Sequence, residues 1–549
     1  MDVVLVGLPG SGKSVIGRRV AHRHDAAFID LDERIEAAAG RTIPQLFEDE
    51  GEAGFRARER AAVVALGHAD RDPAIKRVVA TGGGTIVDPR NRWHLYRGRL
   101  PIWLDGRPEV LAQRLRRSTN VRPLVAGRDP IGSIRDLGRK RERFYGAAIR
   151  VRGVAEVGRV IERVDEIIAT HGSASAGGHV LLRADTAIGS IVLGEGIAAS
   201  EVAAALVRLG ARRAILVSEP GAWSAFGEAL AGALERGGLT TARVMLPQGE
   251  AAKRLSVVER AAGDLAALRV ERGEPIVAIG GGAVGDAAGF LAATYLRGIP
   301  VIHVPTTLVA QIDSSIGGKT GVDLDAGKNL VGAYHQPAAV VIDTAALRTL
   351  PERERRAALG EAVKMAALGD ERLFELLEIG GEAIARGDPA ASETGAVAEL
   401  VERAAWAKVE VVLADEREAA GRIALNLGHS VGHAIEAAAG FSEIRHGEAV
   451  AHGLRAACRI GVAHGVTPAD RAERIERLLD ALGLATEQPA LGADDVLGRL
   501  AVDKKHASGR LRWVLPTAGG HEVRDDVPDE VVRRIVDELL AASVGSAER

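Results

Sequence analysis

The chain has 549 residues, with 71 lysines and arginines against 74 aspartates and glutamates, and its formal net charge is −3. This length predicts three or four domains with their own cores, and the near balance of charges argues against a basic nucleic-acid-binding tail. The single cysteine, Cys458, cannot form an intrachain disulfide, which fits a reducing compartment. No apolar run approaches the ~18 residues of a membrane span, so we expect a cytoplasmic protein that binds neither membranes nor nucleic acid.

The first predicted strand, Asp2–Val6, leads into the sequence Gly7-Leu-Pro-Gly-Ser-Gly-Lys-Ser14. This is a complete G-x-x-x-x-G-K-S phosphate loop between a strand and a helix. The loop, with Gly10 and Gly12, would surround the phosphates of a nucleotide, while Lys13 reaches the β- and γ-phosphates and Ser14 binds Mg²⁺. A chance glycine-rich turn is the alternative, which the strand–loop–helix setting disfavours. The pattern predicts an ATP or GTP site.

The next segments predict what receives the phosphate. A second strand, Phe28–Asp32, ends in two carboxylates that strand alternation would place on one side. Arg56 is predicted near the start of a helix, and a third strand ends in Ala80-Thr-Gly-Gly-Gly-Thr85. A further strand, Leu100–Asp105, precedes an arginine-rich segment at 113–125. Each arginine taken singly is best explained as part of a solvated helix face.

Together these motifs resemble shikimate kinase over residues 1–171. The resemblance implies a three-layer α/β P-loop domain that transfers phosphate from ATP to shikimate. It implies that Arg122, in a lid, and Lys13 neutralise the transferred group, that Asp32 orients the attacking hydroxyl, and that Arg117 or Arg116 stacks on adenine. The other implied groups are Asp30, through the water shell of Mg²⁺, and the shikimate-binding residues Arg56, Gly83 and Arg141. A kinase for a neutral polyol such as gluconate is the alternative, but that substrate needs no arginine pair.

Residues 172–178, Gly-Ser-Ala-Ser-Ala-Gly-Gly, follow a predicted amphipathic helix, Val157–Thr170, and are typical of a flexible linker. Strands resume at His179–Arg183 and Ser190–Leu193, and strands then alternate with helices to about residue 346. We expect the segments on either side of the linker to fold and to work independently.

The second half contains a predicted strand, Pro275–Ile279, three glycines at 280–282, a helix, Ala283–Leu291, and a strand, Pro300–Val304. This is the spacing of a βαβ unit whose glycines and helix N-terminus could receive a pyrophosphate, although such a pattern alone is a weak indication. A stronger one is the group of polar residues nearby: Thr306, Thr307, Asp313, Ser314, Ser315, Lys319, Lys328 and Asn329.

From about residue 347 the pattern becomes helical. Glu361 and Lys364 are three residues apart on one predicted helical face, His429 and His433 are four apart on another, and His446 follows. Two histidines at this spacing, a third histidine and a remote carboxylate form a candidate zinc site with an open position. Ordinary core or capping histidines are the alternative on spacing alone.

Residues 179–549 closely resemble 3-dehydroquinate synthase. The resemblance implies a Rossmann-like NAD-binding domain at 179–346 and an all-α domain at 347–549 that binds metal and substrate. It implies Glu361, His429 and His446 as ligands of Zn²⁺ or Co²⁺, with His433 contacting the substrate or supporting a ligand. The implied NAD contacts are Glu219, where the family commonly has aspartate, and Glu250, Lys253, Gly281, Gly282, Asp286, Thr306, Thr307, Asp313, Lys328 and Asn329.

The reaction that the resemblance implies converts 3-deoxy-D-arabino-heptulosonate 7-phosphate to 3-dehydroquinate and phosphate. NAD oxidises the C5 hydroxyl, which acidifies the C6 proton so that phosphate can leave; the hydride then returns, the ring opens and an aldol step closes the carbocycle. Zinc would lower the pKa of the hydroxyl that is oxidised. The implied substrate and catalytic residues are Lys319, Asn329, Lys364, Lys408, Arg422, Asn426, His433, Lys504 or Lys505, and Arg297 from the other subunit of a homodimer.

The two resemblances together imply a fused shikimate kinase and 3-dehydroquinate synthase, and three other functions are alternatives. A polyol dehydrogenase dependent on NAD and metal would not need the cations at 364, 408 and 422. Another sugar-phosphate cyclase is disfavoured by Arg422, Asn426 and a kinase of the same pathway. A regulatory nucleotide sensor is disfavoured by the complete set Lys13, Asp32, Arg56 and Arg122.

Overall fold

The computed structural model describes residues 1–68, 74–117, 129–153, 156–171, 178–325, 327–418, 421–440, 444–484, 491–506 and 511–544. By its internal contacts the chain divides into two compact units. The first contains Met1–Thr186, Ser190–Glu201 and Val341–Thr344, and the second contains Ala187–Gly189, Val202–Val340 and Ala345–Arg549. None of the helices in the described ranges combines the length and apolar character needed to cross a lipid bilayer.

The first unit alternates strands and helices. Its elements are β1 Asp2–Val6, α1 Lys13–Arg23, β2 Ala27–Asp30, α2 Leu31–Ala39, α3 Ile43–Val64, β3 Arg77–Ala80, α4 Pro89–Tyr96, β4 Leu100–Asp105, α5 Pro108–Arg117, α6 Pro130–Tyr145, β5 Ile149–Arg152, α7 Val157–His171, β6 His179–Thr186 and β7 Gly189–Glu195.

Five of these strands form a parallel sheet in the order β2–β3–β1–β4–β5. Every residue of β1 is buried, as expected for the central strand of a parallel sheet with helices on both faces. Val4 pairs with Val79 on one side and Pro101 on the other. The loop after β1 therefore leaves the sheet at the carboxyl ends of its strands, where open parallel sheets place their ligand sites.

The start of α2 corrects one sequence prediction. Because β2 ends at Asp30, Asp32 lies in the first turn of a helix and not on a strand beside Asp30. Asp30 Oδ1 accepts a hydrogen bond from the backbone N–H of Asp32 at 3.0 Å and caps the helix, which ends the strand early. Arg56 lies on α3 just beyond a break at Gly51, whose φ of 68° favours glycine.

Strands β6 and β7 are neighbours and belong to the first unit by their contacts. The ring of Trp93 on α4 lies 5.2 Å from the ring of His179 on β6, in an edge arrangement. At the end of α6, a Cβ added to Gly146 would lie 2.9 Å from the carbonyl oxygen of Arg183, so only glycine lets the two backbones approach this closely. Of the predicted linker at 172–178, residues 172–177 lie outside the described residues.

The first part of the second unit alternates helices with strands, several of which pair in parallel. Its elements are α8 Ala198–Leu209, β8 Arg213–Ser218, α9 Pro220–Ala222, α10 Glu228–Arg236, β9 Thr240–Met245, α11 Leu255–Ala267, β10 Ile276–Gly280, α12 Gly282–Thr294, β11 Val301–Pro305, β12 Lys319–Leu324, β13 Gly327–Tyr334 and β14 Ala339–Asp343, of which α8 and β14 are shared with the first unit. Strands β11, β10, β8 and β9 are parallel neighbours in that order, and Ala339 and Val340 of β14 pair with β11.

The remainder of the second unit is mostly helical. Its elements are α13 Glu352–Ala367, α14 Glu371–Arg386, α15 Pro389–Glu393, α16 Ala396–Ala414, α17 His429–Ala438, α18 His446–Ala463, α19 Ala469–Ala481, α20 Ala493–His506, β15 Trp513–Pro516, β16 His521–Arg524 and α21 Asp529–Val544. The antiparallel pair β15–β16 corrects the prediction that this region is all-α. A second antiparallel pair, β12–β13, was also not predicted, and its residues Lys319, Lys328 and Asn329 carry candidate functional side chains.

Candidate active sites

The loop after β1 folds over the ammonium group of Lys13. Lys13 Nζ donates hydrogen bonds to the carbonyl oxygens of Gly7 at 2.8 Å and Leu8 at 3.2 Å, and the side chain is buried. Gly10 and Gly12 have φ values of 83° and 89°, in the left-handed region that glycine adopts readily. Because α1 begins at Lys13, the positive end of its dipole and its free N–H groups lie at the loop. This is the backbone geometry of a phosphate site.

Ser14 and Asp30 meet beside this loop. Ser14 Oγ donates a hydrogen bond to Asp30 Oδ2 at 2.5 Å. A hydroxyl and a carboxylate next to a phosphate loop are the groups that hold Mg²⁺ directly or through its water shell. The pair therefore fits a magnesium–nucleotide complex.

The turn Gly82–Gly84 brings together the side chains predicted to bind shikimate. Arg141 Nη1 donates a hydrogen bond to the carbonyl oxygen of the middle glycine, Gly83, at 2.7 Å. A Cβ on the first glycine would lie 2.8 Å from Asp32 Oδ1, and one on the third would lie 2.9 Å from Arg56 Nη2. A carboxylate and two guanidinium groups thus surround one short turn, which suits a ligand with both hydroxyl and carboxylate groups.

In the second unit, the turn between β10 and α12 places two glycines at the start of the helix. A Cβ on Gly281 would lie 3.1 Å from Thr307 Cγ2, and one on Gly282 would lie 3.0 Å from Ser314 Oγ. The hydroxyl of Ser314 is buried and makes no hydrogen bond within the described part of the chain. A helix N-terminus that carries two glycines and has an unpaired hydroxyl beside it fits the pyrophosphate of a dinucleotide. Thr306, next in sequence to Thr307, donates its backbone N–H to the carbonyl of the strand end at 2.9 Å.

Lys253 connects two of the other predicted NAD residues. Its Nζ donates to Asp286 Oδ2 at 2.8 Å and to Asn329 Oδ1 at 2.6 Å, and it lies 3.8 Å from Asp323 Oδ1. Burial alone would lower the pKa of Lys253, but these carboxylates, Asp286 foremost, raise it above its ordinary value. The lysine is therefore a fixed cation between α12 and β13.

The side chain of Glu219 contacts the backbone immediately before Glu250. Glu219 Oε2 accepts a hydrogen bond at 2.7 Å from the backbone N–H of Gly249, the residue before Glu250. Lys328 Nζ donates to Glu250 Oε1 at 3.3 Å and to Glu436 Oε1 at 2.9 Å. The lysine thus links a carboxylate of the nucleotide-binding region with one on helix α17.

Three histidines and a glutamate converge where α13, α17 and α18 meet. One ring nitrogen from each of His429, His433 and His446 lies within 4.8 Å of the corresponding nitrogen of the other two. Glu361 Oε1 is 3.1 Å from His446 Nε2 and 3.4 Å from His429 Nε2. His429 Nδ1 is 3.2 Å from the carbonyl oxygen of Leu427, so Nδ1 can donate its proton there and leave Nε2 for a metal. This donor set fits Zn²⁺ or Co²⁺.

The charges at this cluster also suit a cation. Although burial alone would raise it, Lys364 and the two histidines hold the pKa of Glu361 well below its usual range. Burial and Lys364 hold the pKa of His429 well below its usual range, so this imidazole is neutral. Burial would lower the pKa of His446, but hydrogen bonds to Glu361 and Glu436 raise it to about 10. The position between those carboxylates therefore favours a positive charge.

Buried cations lie near this cluster. Lys408 Nζ is 2.8 Å from Asp313 Oδ1. Burial alone would raise the pKa of Asp313, but Lys408 and Lys364 hold it below its ordinary value. Arg422 is 2% exposed, and its Nη1 donates to the carbonyl oxygens of Glu416 at 2.6 Å and Gly317 at 3.3 Å. Because Gly317 has a φ of 99° and a Cβ there would lie 2.7 Å from Arg422 Nη2, this contact requires glycine.

Three family models match the chain. The shikimate kinase model matches residues 9–170, the 3-dehydroquinate synthase N-terminal model matches 243–357, and the 3-dehydroquinate synthase C-terminal model matches 358–506. The 3-dehydroquinate synthase of Symbiobacterium thermophilum is 47% identical over 325 residues, which are 59% of this chain and 89% of the relative. The chain belongs to the 3-dehydroquinate synthase family. It also carries a shikimate kinase domain before the synthase, so it combines a phosphotransferase and a carbon–oxygen lyase of the shikimate pathway.

Other similar proteins support the same fold for the synthase. The 3-dehydroquinate synthase of Synechococcus sp. (strain CC9605) is 44% identical over 329 residues, 60% of this chain and 88% of the relative. The solved structure of 2-epi-5-epi-valiolone synthase from Streptomyces hygroscopicus subsp. jinggangensis 5008, with NAD⁺ and Zn²⁺ bound, has a TM-score of 0.58 and 28% identity, covering 65% of this chain and 96% of that one.

Several residues predicted for the synthase site are exposed to solvent. Lys319 forms an ion pair with Glu418 and is half exposed. Asn426 is exposed. Arg297 is exposed with a φ of 69°, and no hydrogen bond or ion pair is found for it within the described ranges. Arg116 of the kinase is exposed on α5, whereas Arg122 and the side chains of Arg117, Lys504 and Lys505 lie outside the described residues.

Two buried glutamates at the sites were not predicted from the sequence. Glu59 in the kinase, 2% exposed, accepts hydrogen bonds from Arg56 Nη1 at 2.9 Å and Thr85 Oγ1 at 2.7 Å. Glu436 in the synthase accepts from His446 and Lys328. Helical spacing could have indicated that both lie near predicted site residues, since Glu59 is three residues after Arg56 and Glu436 is three after His433.

Proposed function

We propose that Glu361, His429 and His446 hold the divalent metal of the synthase, Zn²⁺ or Co²⁺, and that His433 faces the substrate. The observation that carries this assignment is the convergence of the three imidazoles, with Glu361 Oε1 within 3.4 Å of two of them. Solved structures of similar cyclases carry Zn²⁺ or Co²⁺ together with NAD⁺, which supports the same pair here. When bound, the metal would polarise the substrate hydroxyls and NAD⁺ would accept and return a hydride.

The assignment of NAD⁺ rests on the glycines at the start of α12 and on polar residues predicted to contact the cofactor. The pyrophosphate would lie at Gly281 and Gly282, within reach of the buried hydroxyl of Ser314. Among the other proposed contacts, Lys253 bonds to Asp286 and Asn329, and Lys328 bonds to Glu250. The full proposed set is Glu219, Glu250, Lys253, Asp286, Thr306, Thr307, Asp313, Lys328 and Asn329.

The cations of the synthase would bind and orient an anionic sugar phosphate. Lys364, Lys408 and Arg422 are buried, and each is held by a carboxylate or by backbone carbonyls. Buried, oriented cations bind phosphate and carboxylate strongly because little side-chain entropy remains to be lost. We assign Lys319, Asn329, Asn426 and Arg297 to the rim of the same substrate site.

In the kinase, Asp32, Arg56, Gly83 and Arg141 would hold shikimate. The carboxylate of Asp32 would accept the proton of the attacking hydroxyl, and the two arginines would pair with the carboxylate of the substrate. Lys13 would move from its carbonyl partners to the phosphates when ATP binds, since phosphate oxygens carry full charge and carbonyls do not. Ser14 and Asp30 would complete the Mg²⁺ site, and Arg122 would neutralise the transferred group.

We further propose that the synthase forms a homodimer in the cytoplasm. The outer edge of β13 has no paired strand within the described ranges, and it exposes Leu330 and Tyr334, 60% and 47% accessible. An open edge with apolar side chains is the kind of surface that a second copy covers. Light scattering of the purified chain would test this, and a monomeric mass would exclude it.

Product analysis tests the proposed chemistry. The purified protein is incubated with NAD⁺, Zn²⁺ and the heptulosonate phosphate, and the ring product is identified by NMR. We expect 3-dehydroquinate and one phosphate per turnover without net NADH. Net NADH would indicate the alternative polyol dehydrogenase, and a different carbocycle from another sugar phosphate would indicate a cyclase of different specificity.

A further inference from the structure

Glu436 lies on the same face of α17 as the histidines and has a different partner on each carboxylate oxygen. It follows His429 by seven residues and His433 by three, and its residue exposure is 4%. Oε2 lies 3.2 Å from His446 Nδ1, and Oε1 accepts a hydrogen bond from Lys328 Nζ at 2.9 Å. One buried carboxylate therefore contacts both a proposed metal ligand and a proposed cofactor residue.

The contact with His446 sets which ring nitrogen faces the metal position. Without a metal, each ring nitrogen faces a carboxylate oxygen and can donate a proton to it. When a metal takes the place of the Nε2 proton, the carboxylate at Nδ1 would keep the remaining proton on Nδ1 and leave the Nε2 lone pair to the metal. Nε2 is the nitrogen that lies 3.1 Å from Glu361 Oε1. Glu436 thus holds the imidazole in the orientation and tautomer in which it can bind a metal.

The contact with Lys328 reaches the nucleotide-binding region. Lys328 Nζ also lies 3.3 Å from Glu250 Oε1, and the next residue, Asn329, accepts a hydrogen bond from Lys253. Because the side chain of Glu436 is 6% exposed and that of Lys328 21%, this pair is screened less by water than a surface ion pair. Glu436 therefore restricts where the Lys328 ammonium group can lie.

We propose that Glu436 is a positioning residue that couples occupancy of the metal site to NAD⁺ binding, an inference that rests on the assignments of His446 and Lys328 above. With a metal bound at Nε2, His446 would donate a stronger hydrogen bond from Nδ1 to Glu436, and Glu436 would in turn hold Lys328 more firmly through its second oxygen. Metal binding then tightens NAD⁺ binding, and by thermodynamic reciprocity NAD⁺ tightens metal binding by the same factor.

The test uses Co²⁺ as the metal and measures binding without turnover. Metal-free full-length protein is titrated with Co²⁺ by visible absorption, and the dissociation constant of NAD⁺ is measured by calorimetry with and without Co²⁺. In the unmodified protein we expect Co²⁺ to tighten NAD⁺ binding about 5-fold. In Glu436→Gln, which keeps the shape but loses the charge, we expect Co²⁺ affinity to fall about 10- to 100-fold and the effect of saturating Co²⁺ on NAD⁺ to disappear.

Two further variants make the result decisive. Lys328→Met should also abolish the coupling while Co²⁺ affinity stays within about threefold, because the contact between Glu436 and His446 remains. The control Glu448→Gln removes a carboxylate two residues after His446 that pairs with Arg353, and it should retain both affinity and coupling. Equal coupling in the unmodified protein and Glu436→Gln, or no coupling in the unmodified protein, would overturn the proposal.

Failure of the metal assignment itself would give a different result. His429→Ala should abolish the Co²⁺ spectrum of the site. If that variant binds Co²⁺ as tightly as the unmodified protein, the proposed ligand set is wrong, whatever Glu436 does. If it loses Co²⁺ while Glu436→Gln keeps the coupling, only the role of Glu436 is wrong.

Discussion

Lys364 Nζ lies 2.5 Å from Glu361 Oε2, and both side chains are fully buried. Removing one partner of a buried pair leaves the other charge uncompensated and typically costs about 3–5 kcal/mol. We predict such a loss of stability for Lys364→Met in metal-free protein and a smaller loss with Zn²⁺, because the metal replaces the missing positive charge beside Glu361. Urea unfolding of the synthase with and without Zn²⁺ measures both values.

The control for this prediction is Arg386→Ala, which breaks an exposed pair with Glu382. Such surface pairs contribute about 1 kcal/mol or less, and Zn²⁺ should not alter the effect. If Zn²⁺ leaves the loss in Lys364→Met unchanged, the metal does not bind beside Glu361.

Lys13→Ala should abolish phosphate transfer to shikimate. The substitution removes the charge directed at the β- and γ-phosphates, while the synthase site, built from other residues, stays intact. Coupled assays of ADP release and of dehydroquinate formation check the two activities on one preparation. Arg159→Ala removes an exposed cation on α7 and should leave both unchanged. A parallel fall of synthase activity in folded Lys13→Ala would contradict the independence of the two activities.

His429→Ala should remove most of the bound zinc and most of the cyclase activity while kinase activity persists. The reason is the loss of one of three proposed ligands from a site with little redundancy. Elemental analysis after gel filtration gives the metal content. His464→Ala is the matched control, because His464 contacts Asp526 and not the cluster. Full zinc content in His429→Ala would remove this residue from the ligand set.

His303 on β11 should make the chain less stable as the pH falls from 7 to 5. Burial, assisted by His335, lowers the pKa of His303 to about 4. The unfolded chain takes up this proton near pH 6.5 and the folded chain only near pH 4, so stability present above pH 6.5 is lost as the pH falls through this window, by at most about 1.4 kcal/mol per unit. His303→Gln should show a shallower fall in urea titrations at pH 7, 6 and 5. Parallel curves would mean that this histidine does not carry the effect.

Cutting the chain within residues 172–178 should give two folded fragments that each retain turnover. The kinase fragment loses the packing of His179 on Trp93, a residue that is 3% exposed in the full chain. We therefore expect its melting temperature to be a few degrees below that of the kinase in the full chain, since about 1 kcal/mol corresponds to roughly 2–4 °C in a domain of this size. Calorimetry of the fragments, alone and remixed, is the measurement. His179→Ala in the intact chain should shift the kinase transition in the same direction, and an unchanged melting temperature in both would show that β6 does not stabilise the kinase.

The parts of both sites that depend on local spacing were predictable from the sequence. The spacing of Glu361 and Lys364 on one helix, and of His429 and His433 on another, gave the observed contacts because helix geometry fixes which side chains are neighbours. The phosphate loop was equally predictable, since its glycines and lysine act within one turn of chain.

Two kinds of feature could not be predicted from local spacing: segments that can form either a strand or a helix, and contacts between residues distant in sequence. Asp32 was assigned to a strand because apolar alternation gives no warning that Asp30 will cap a helix. The antiparallel pair β15–β16 was not predicted because a four-residue apolar run such as Trp513–Pro516 fits a strand or a buried helix segment equally well. The contacts of Glu436 could not be predicted because one of its partners, Lys328 on β13, is more than a hundred residues earlier in the chain.

Helix α6 contacts the turn Gly82–Gly84 at one position and β6 at another. Arg141 and Tyr145 both donate to the carbonyl oxygen of Gly83, at 2.7 and 2.8 Å, and the helix ends at Gly146 against the backbone of Arg183. A missense change in β6 would therefore displace the helix that carries kinase side chains, although it lies on the synthase side of the linker. In a complementation test, such an allele would fail to restore kinase activity. The part of the gene needed for kinase activity would then extend past residue 170, where the match to the shikimate kinase model ends.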